Sequence, residues 1–117
     1  MSKKKVLLID DESGFTRLLK LTLPAYEVRE VNDPLKALDA VRQFRPDIIF
    51  LDVIMPNLDG GTVASMIRED PSLKDIPIVF LTAILKPDEK PPTNEKFLPK
   101  PVSKDAIVQC ITETLGP

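Results

Sequence analysis

Short apolar runs alternate along the chain with longer segments whose apolar residues recur at helical spacing. The short runs, which we expect to form strands, cover residues 6–9, 26–31, 47–51, 78–81 and 97–99. The run at 47–51 is apolar without alternation, which is typical of a central strand covered on both faces. Strands that alternate with helices predict a parallel sheet with right-handed crossovers and with helices on both faces.

The helix expected after the second strand has a clear start. Asn32 or Asp33 is expected to cap it, with Pro34 at its first helical position, and Pro46 ends it. The apolar stripe that we expect this helix to bury consists of Leu35, Ala37, Leu38, Val41 and Phe44.

The last helix is expected to begin after Ser103 and to end at Gly116. Its apolar stripe contains Cys110, the single cysteine of the chain, which we therefore expect to be a buried apolar residue. One cysteine excludes an internal disulfide framework and fits a reducing compartment.

The segment between the fourth and fifth strands departs from this alternation. A helix is expected there, but Pro87, Pro91 and Pro92 fall in its middle. Each proline inside a helix costs about 3 kcal/mol. We therefore expect residues 83–96 to form mostly an irregular or single-turn connection, with the helix between these strands shortened or missing.

Four of the predicted strands end on charged or hydroxyl side chains, namely Asp10 with Asp11, Asp52, Thr82 and Lys100. For five strands the common order is 2-1-3-4-5, and ligands bind beyond the carboxyl ends of the strands where the order reverses. This order makes the acidic pair a neighbour of Asp52 and sets Thr82 and then Lys100 along the same rim. The sequence thus predicts a doubly wound, flavodoxin-like α/β fold with one polar site.

Three carboxylates at one site need a compensating charge. Two carboxylates about 4 Å apart repel each other by about 4 kcal/mol at an effective dielectric constant near 20. Mg²⁺ prefers oxygen ligands and keeps several waters, so it suits this site. Zinc is disfavoured because neither thiolate nor imidazole is available nearby, and the chain contains no histidine.

With a cation bound, one carboxylate can attack phosphorus and form an acyl phosphate. Asp52, at the end of the most buried strand, is our candidate. Phosphoryl transfer demands chiefly positioning and charge neutralisation. Lys100 could supply a point charge to a phosphate oxygen, and Thr82 could supply a hydroxyl donor.

The composition excludes several other classes of protein. The 117 residues fit one domain, residues 1–117, with 43% hydrophobic residues and a net charge of −2. This charge gives no case for nucleic acid or membrane binding. The apolar runs are too short to span a bilayer or to form a signal peptide, so we expect a cytoplasmic protein. The lack of histidine excludes imidazole bases and Ser-His-Asp triads.

Five short elements, in order and each at a strand end, resemble the receiver (response-regulator) family of two-component signalling. They are Ile9-Asp10-Asp11, Leu51-Asp52, Met55-Pro56-Asn57-Leu58-Asp59-Gly60, Leu81-Thr82-Ala83 and Lys100-Pro101. The chain is similar in extent to the single-domain, chemotaxis-type regulators of that family. The resemblance implies a protein that is not an enzyme and whose Asp52 accepts a phosphoryl group from a sensor histidine kinase or a histidine phosphotransfer protein.

The resemblance also implies roles for the other residues of the site. Asp11 and Asp52 would ligate Mg²⁺ together with the backbone carbonyl of Ile54, and Asp10 would order the shell of the metal. Lys100 would bind the phosphoryl group, and the bond from Lys100 to the next residue, a proline, would be cis. Thr82 would swing toward the phosphoryl group.

Two further features would govern signalling and its duration. Phe97 matches the switch aromatic of the family, which turns inward when the threonine moves, and core packing in the fifth strand is an equally open interpretation. Ile54 and Ile84 occupy positions that influence attack by water on the acyl phosphate. Neither can orient a water molecule, so we predict a long-lived phosphoryl group.

Three other functions compete with this hypothesis. The chain could be a receiver-like interaction module that works without phosphorylation, although all five key residues are present. A phosphatase or phosphotransferase with an aspartyl nucleophile would need a carboxylate at the position of Ile54. Flavin binding is disfavoured because the acidic run after the first strand would repel a phosphate. Within the leading hypothesis, a single-domain regulator, a relay intermediate and a receiver from a longer protein all remain open.

Overall fold

The computed structural model of the chain describes residues 3–83 and 96–116. Five parallel strands form one sheet in the order β2-β1-β3-β4-β5, which confirms the predicted fold class. The strands are β1 (Lys5–Ile9), β2 (Glu27–Val31), β3 (Ile48–Asp52), β4 (Ile78–Thr82) and β5 (Lys96–Pro99). The predicted shortening of the helix between β4 and β5 concerns residues 83–96, of which 84–95 lie outside the described residues.

Helices cover both faces of the sheet, as the alternation of the sequence predicts. They are α1 (Ser13–Leu21), α2 (Ala37–Phe44), α3 (Gly60–Glu69) and α4 (Lys104–Leu115), and a 3₁₀ turn (Pro34–Lys36) leads into α2. The core forms two clusters, one of which joins the sheet to α2 and α3 and the other to α1 and α4. Every residue of β3 is buried, so this strand lies at the centre of the core as expected. No described helix has the length and apolar character that crossing a membrane requires.

The start of the second helical segment confirms one part of the prediction and corrects another. Asp33 accepts a hydrogen bond from the backbone N–H of Leu35, and Pro34 occupies the first position. The prediction that Leu35 is buried is wrong, because its side chain is 65% exposed. A 3₁₀ turn has three residues per turn, so Pro34 and Ala37 share the inward side and Leu35 points outward.

The predicted ends and the buried cysteine of the last helix are confirmed. The Ser103 hydroxyl accepts a hydrogen bond from the N–H of Ala106, and Gly116 ends the helix with a φ of 86°. Cys110 is buried, and burial raises the pKa of its thiol above the ordinary value. Cys110 is therefore an inert core residue.

Candidate functional site

The carboxyl ends of β1 and β3 bring three acidic side chains together. Ile9 pairs with Leu51 in the parallel register, so Asp10 follows β1 directly beside Asp52 at the end of β3. One carboxylate oxygen from each of Asp10, Asp11 and Asp52 lies within 4.8 Å of the other two. Asp10 and Asp52 are buried, whereas Asp11 is accessible to solvent. We refer to these three residues as the acidic cluster.

Asp10 is fixed by both its backbone and its side chain. Its backbone N–H donates to the Val31 carbonyl at 3.0 Å, which continues the β1–β2 pairing past the end of β1. Its Oδ1 accepts a hydrogen bond from the Glu12 N–H at 3.0 Å, and its Oδ2 accepts one from the Lys100 amine. Only 1% of Asp10 is exposed. Asp10 therefore forms the buried base of the site, with its backbone N–H and both carboxylate oxygens in hydrogen bonds.

Asp52 is the residue whose protonation the site perturbs most clearly. Burial, followed by the charge of Asp10, raises the pKa of its carboxyl from an ordinary 3.8 to about 6. The charge of Lys100 and a hydrogen bond from the Ile54 N–H oppose this rise. Burial of the carboxyl thus outweighs the stabilisation that Lys100 gives to its charged form, and a nearby cation would favour that form further.

Lys100 reaches the acidic cluster from the far side of β4. Its amine lies 2.5 Å from Asp10 Oδ2, 3.5 Å from Asp52 Oδ2 and 3.3 Å from Glu12 Oε1. Burial alone would lower the pKa of this amine, but the hydrogen bond and charge of Asp10 and the charge of Asp52 raise it. The Lys100 side chain is consequently a permanent cation at the centre of the site. The peptide bond from Lys100 to the following proline is cis, as predicted.

Thr82 lies on β4, which neighbours β3, and Phe97 lies on β5, the edge strand next to β4. Thr82 ends β4, is 2% exposed and pairs with Pro99 in the register, and its carbonyl accepts a hydrogen bond from the Lys100 N–H at 2.9 Å. The ring of Phe97 is half-buried and stacks on Phe80 with 5.1 Å between the ring centroids. The position of Phe97 fits the core-packing interpretation, and its role as a switch stays a prediction.

The loop between β3 and α3 folds back over the end of β3. The Gly60 N–H donates to the Val53 carbonyl at 2.9 Å, and Asp59 caps α3 by accepting a hydrogen bond from the Thr62 N–H. Asn57 has a φ of 71°, a conformation that asparagine tolerates better than most residues. Ile54 lies in this loop with its side chain 59% exposed. The predicted ligation of a metal by its carbonyl stays a prediction, and Ile84 lies outside the described residues.

The residues of the acidic cluster fit Mg²⁺. All three side chains offer carboxylate oxygens, which a hard divalent cation prefers. Burial and the neighbouring Asp10 raise the pKa of Asp52, and a divalent cation would oppose both effects by stabilising the ionised carboxylate. The solvent-accessible Asp11 leaves room for the waters that Mg²⁺ retains.

Two neighbours of the site were missed by the sequence analysis. The Lys100 amine lies 4.6 Å from the centroid of the Phe15 ring, a cation–π contact that helps to hold the amine in place. Glu12 contacts the same amine, and its only signal in the sequence is its place directly after the acidic pair. Phe15 gave no distinct signal, because an aromatic residue at helical spacing is also typical of a core position.

Comparisons with known proteins agree with the geometry of the site. The chain matches the family model of the response regulator receiver domain over residues 6–112. It is 30% identical to the polar-differentiation response regulator DivK of Brucella anthropi in an alignment of 119 positions, which covers 97% of each chain. It is 43% identical over 82 residues to the response regulator PleD of Caulobacter vibrioides, a match that covers 68% of this chain and 18% of PleD.

Solved structures give the same result for the fold. The chemotaxis protein CheY4 of Vibrio cholerae is 26% identical, with a TM-score of 0.84 over 97% of this chain and 99% of that one. The chain therefore spans nearly all of DivK and CheY4 but about a fifth of PleD.

Proposed function

Because this chain belongs to the response regulator receiver family, we propose that it is a switch in a two-component histidine-to-aspartate phosphorelay, controlled by phosphorylation of Asp52. The observation that carries the proposal is the burial of Asp52 beside two further carboxylates and the Lys100 amine. This arrangement suits an anionic nucleophile that must approach an anionic phosphoryl group. Residues 1–117 would act as one receiver domain.

The phosphoryl donor is the phosphohistidine of a sensor histidine kinase or a histidine phosphotransfer protein. An Oδ of Asp52 forms a bond to phosphorus while the phosphorus–nitrogen bond of the donor breaks. The electron pair of the broken bond stays on the imidazole nitrogen, and one proton on the ring makes the leaving imidazole neutral. The transfer needs Asp52 in its ionised form, which a pKa of about 6 provides at neutral pH.

The positive charges of the site would stabilise the transferred group. Lys100, which contacts Asp10 and Asp52, would turn its amine to a phosphoryl oxygen. Mg²⁺ would be held by Asp11, Asp52 and the Ile54 carbonyl, with Asp10 ordering its shell, and it would supply neutralisation of the charge that develops during transfer. The chain would promote only its own phosphotransfer and slow dephosphorylation, and it would not turn over a separate substrate.

The signal would leave the site through Thr82 and Phe97. Thr82 would donate its hydroxyl to the phosphoryl group, and the movement would open space on the side of β4 that faces Phe97. Phe97 has no hydroxyl, so it could turn further inward without leaving a buried polar group unpaired. The partner would then recognise the change of shape around β4 and β5.

Intact mass spectrometry would test the proposal directly. The chain is incubated with Mg²⁺ and a small acyl phosphate, with Asp52→Asn as the inactive variant and Asp39→Asn as the matched control. The side chain of Asp39 is 79% exposed on α2, outside the acidic cluster. We expect the unmodified chain and Asp39→Asn to gain one phosphoryl group and Asp52→Asn to gain none. Failure of the unmodified chain to gain mass would favour an interaction module that works without phosphorylation.

A further inference from the structure

Three polar side chains beside the acidic cluster form a chain of hydrogen bonds that the proposed function does not use. The Asn32 amide nitrogen lies 2.8 Å from the Asp10 carbonyl oxygen and 2.9 Å from the Thr16 hydroxyl. The Thr16 hydroxyl in turn lies 2.8 Å from Glu30 Oε1. These contacts join α1 and the end of β2 to the backbone of Asp10.

The direction of each hydrogen bond follows from the groups involved. A carbonyl oxygen only accepts, so the group of Asn32 that faces Asp10 is its NH₂, whose two protons go to Asp10 and to Thr16. Thr16 therefore accepts from Asn32, and it donates its own single proton to the Glu30 carboxylate. Its hydroxyl also lies 3.2 Å from the Ser13 carbonyl, but the shorter contact to a charged acceptor is the stronger one.

Burial and charge make this chain of hydrogen bonds costly to break. Thr16 is fully buried, and the Glu30 side chain is only 9% exposed. Burial alone would raise the pKa of Glu30, but hydrogen bonds from Thr16 and Arg17 outweigh it, so the pKa is lowered and the carboxylate is ionised at neutral pH. A buried hydroxyl that faces an ionised acceptor is held in one orientation, and it holds Asn32 in turn.

Asn32 acts on the part of the backbone that aims the acidic pair. The Asp10 carbonyl belongs to the peptide group that leads into Asp11, and the Asp10 N–H is already held by the Val31 carbonyl. Both backbone polar groups of Asp10 are thus fixed by the end of β2. We propose that Thr16 and Asn32 are positioning residues, which orient the peptide between Asp10 and Asp11 and thereby set the affinity of the acidic cluster for Mg²⁺.

This inference rests on the proposed function, which supplies the metal. A purely structural role, the docking of α1 against β2, would lower stability and leave the Mg²⁺ affinity of the folded protein unchanged. Partners outside the ligand set of a metal commonly change its affinity by about 10–100-fold. Thr16 and Asn32 act through a backbone peptide rather than on a ligand directly, so we expect a value near the lower end, about tenfold.

The test compares Mg²⁺ dissociation constants, measured by titration of backbone amide signals in two-dimensional NMR, with thermal midpoints measured in parallel. The variants are Thr16→Val, Thr16→Ser and Asn32→Ala. The matched control is Thr22→Val, which removes a threonine hydroxyl at the opposite end of α1 from Ser13, one that donates to the Leu19 carbonyl at 2.8 Å. We expect Thr16→Val and Asn32→Ala to bind Mg²⁺ about tenfold more weakly. Thr16→Ser and the control should bind as the unmodified chain does.

Each alternative outcome has a defined meaning. Unchanged dissociation constants in Thr16→Val and Asn32→Ala, with lowered thermal midpoints, would overturn the inference and leave the proposed function intact. If Thr16→Val does not fold, the Mg²⁺ affinity of Asn32→Ala decides the test. Asn32 is exposed, so its replacement should not prevent folding. If the unmodified chain itself binds no Mg²⁺, the metal in the proposed function is wrong and the inference is wrong with it.

Discussion

Gly60 packs directly against the backbone carbonyl of Asp52. A β-carbon on Gly60 would collide with the Asp52 carbonyl oxygen and lie 2.9 Å from the Val53 Cα. We expect Gly60→Ala to displace the end of β3, to lower the free energy of unfolding by about 2–3 kcal/mol and to reduce phosphorylation of Asp52. Urea denaturation and the mass assay with an acyl phosphate measure the two effects.

Gly61→Ala is the matched control for this variant. The nearest atom to a β-carbon on Gly61 is Asp59 Oδ1 at 3.4 Å, an ordinary contact. Alanine favours a helix over glycine by about 1 kcal/mol, so this variant should be at least as stable as the unmodified chain. Equal loss of stability in the two variants would show that the collision at Gly60 does not matter.

Much of the fold and of the acidic cluster follows from the sequence. The alternation of strands and helices predicts a parallel sheet, and the common order for five strands brings Asp10 beside Asp52 across about forty positions. The polar strand ends are visible because each interrupts an apolar run. The order also places Lys100 on the same rim, but its contact with Asp10 was not predicted, because the two residues follow strands that β3 and β4 separate.

Two further features were not predicted. One depends on the type of helical turn at the start of the second helical segment, and the other on how α1 packs across β2. Helical periodicity does not reveal that the second helix starts as a 3₁₀ turn, so it assigned Leu35 to the wrong face. The hydrogen bonds of Thr16 to Glu30 and Asn32 depend on how α1 lies across β2, which periodicity does not determine. A buried threonine at helical spacing has no sequence signal that separates it from an exposed one.

The charge of Asp52 should destabilise the protein when no metal is bound. Its pKa is raised from 3.8 to about 6, chiefly by burial and then by Asp10, so the folded state binds its proton more tightly than the unfolded state does. Stability should therefore fall as the pH rises from about 4 to about 6, and the loss should persist at neutral pH. In a chelating buffer at pH 7.5 we expect Asp52→Asn to be more stable than the unmodified chain by about 1–2 kcal/mol. This figure is smaller than the full pKa shift would give, because solvent screens part of the charge of Asp52.

The comparison with Asp52→Asn isolates this residue from the other titrating groups. The stability difference between the variant and the unmodified chain should shrink at pH 4, where Asp52 becomes protonated. It should also shrink when Mg²⁺ is added, because the cation compensates the charge of the ionised carboxylate. Urea denaturation of the two proteins at the two pH values measures it, with the exposed Asp39→Asn as a control that should show no such difference. A difference that does not change with pH would contradict the electrostatic explanation.

The lifetime of the phosphoryl group should depend on Ile54. This side chain is 59% exposed, follows Asp52 by two positions and offers no group that can orient a water molecule. We expect slow loss of the phosphoryl group in the presence of Mg²⁺, and we expect Ile54→Asn to accelerate the loss by about tenfold, which corresponds to about 1.4 kcal/mol in the barrier. The decay of the phosphorylated mass after removal of the donor gives both rates.

The control for Ile54→Asn is Leu35→Asn, which makes a similar change at an exposed leucine that the acidic cluster does not include. Its decay should match that of the unmodified chain. Rapid dephosphorylation of the unmodified chain would contradict the prediction, because the apolar residue at position 54 would then not limit access of water.

Phe97 should be needed for transmission of the signal but not for phosphorylation. Its ring stacks on Phe80 of β4 at 5.1 Å between the ring centroids, two residues before Thr82, and β5 is the edge strand, which β3 and β4 separate from β1. We expect Phe97→Ala to reach the same phosphorylated fraction by mass and to lose about 2 kcal/mol of stability, since it removes a half-buried ring. In NMR spectra, the signal changes that phosphorylation causes should then stop at β4 and fail to reach β5 and α4.

Phe97→Leu, which retains apolar volume without the ring, should transmit part of the change. Spectral changes in Phe97→Ala as extensive as in the unmodified chain would show that the signal leaves the site by another route.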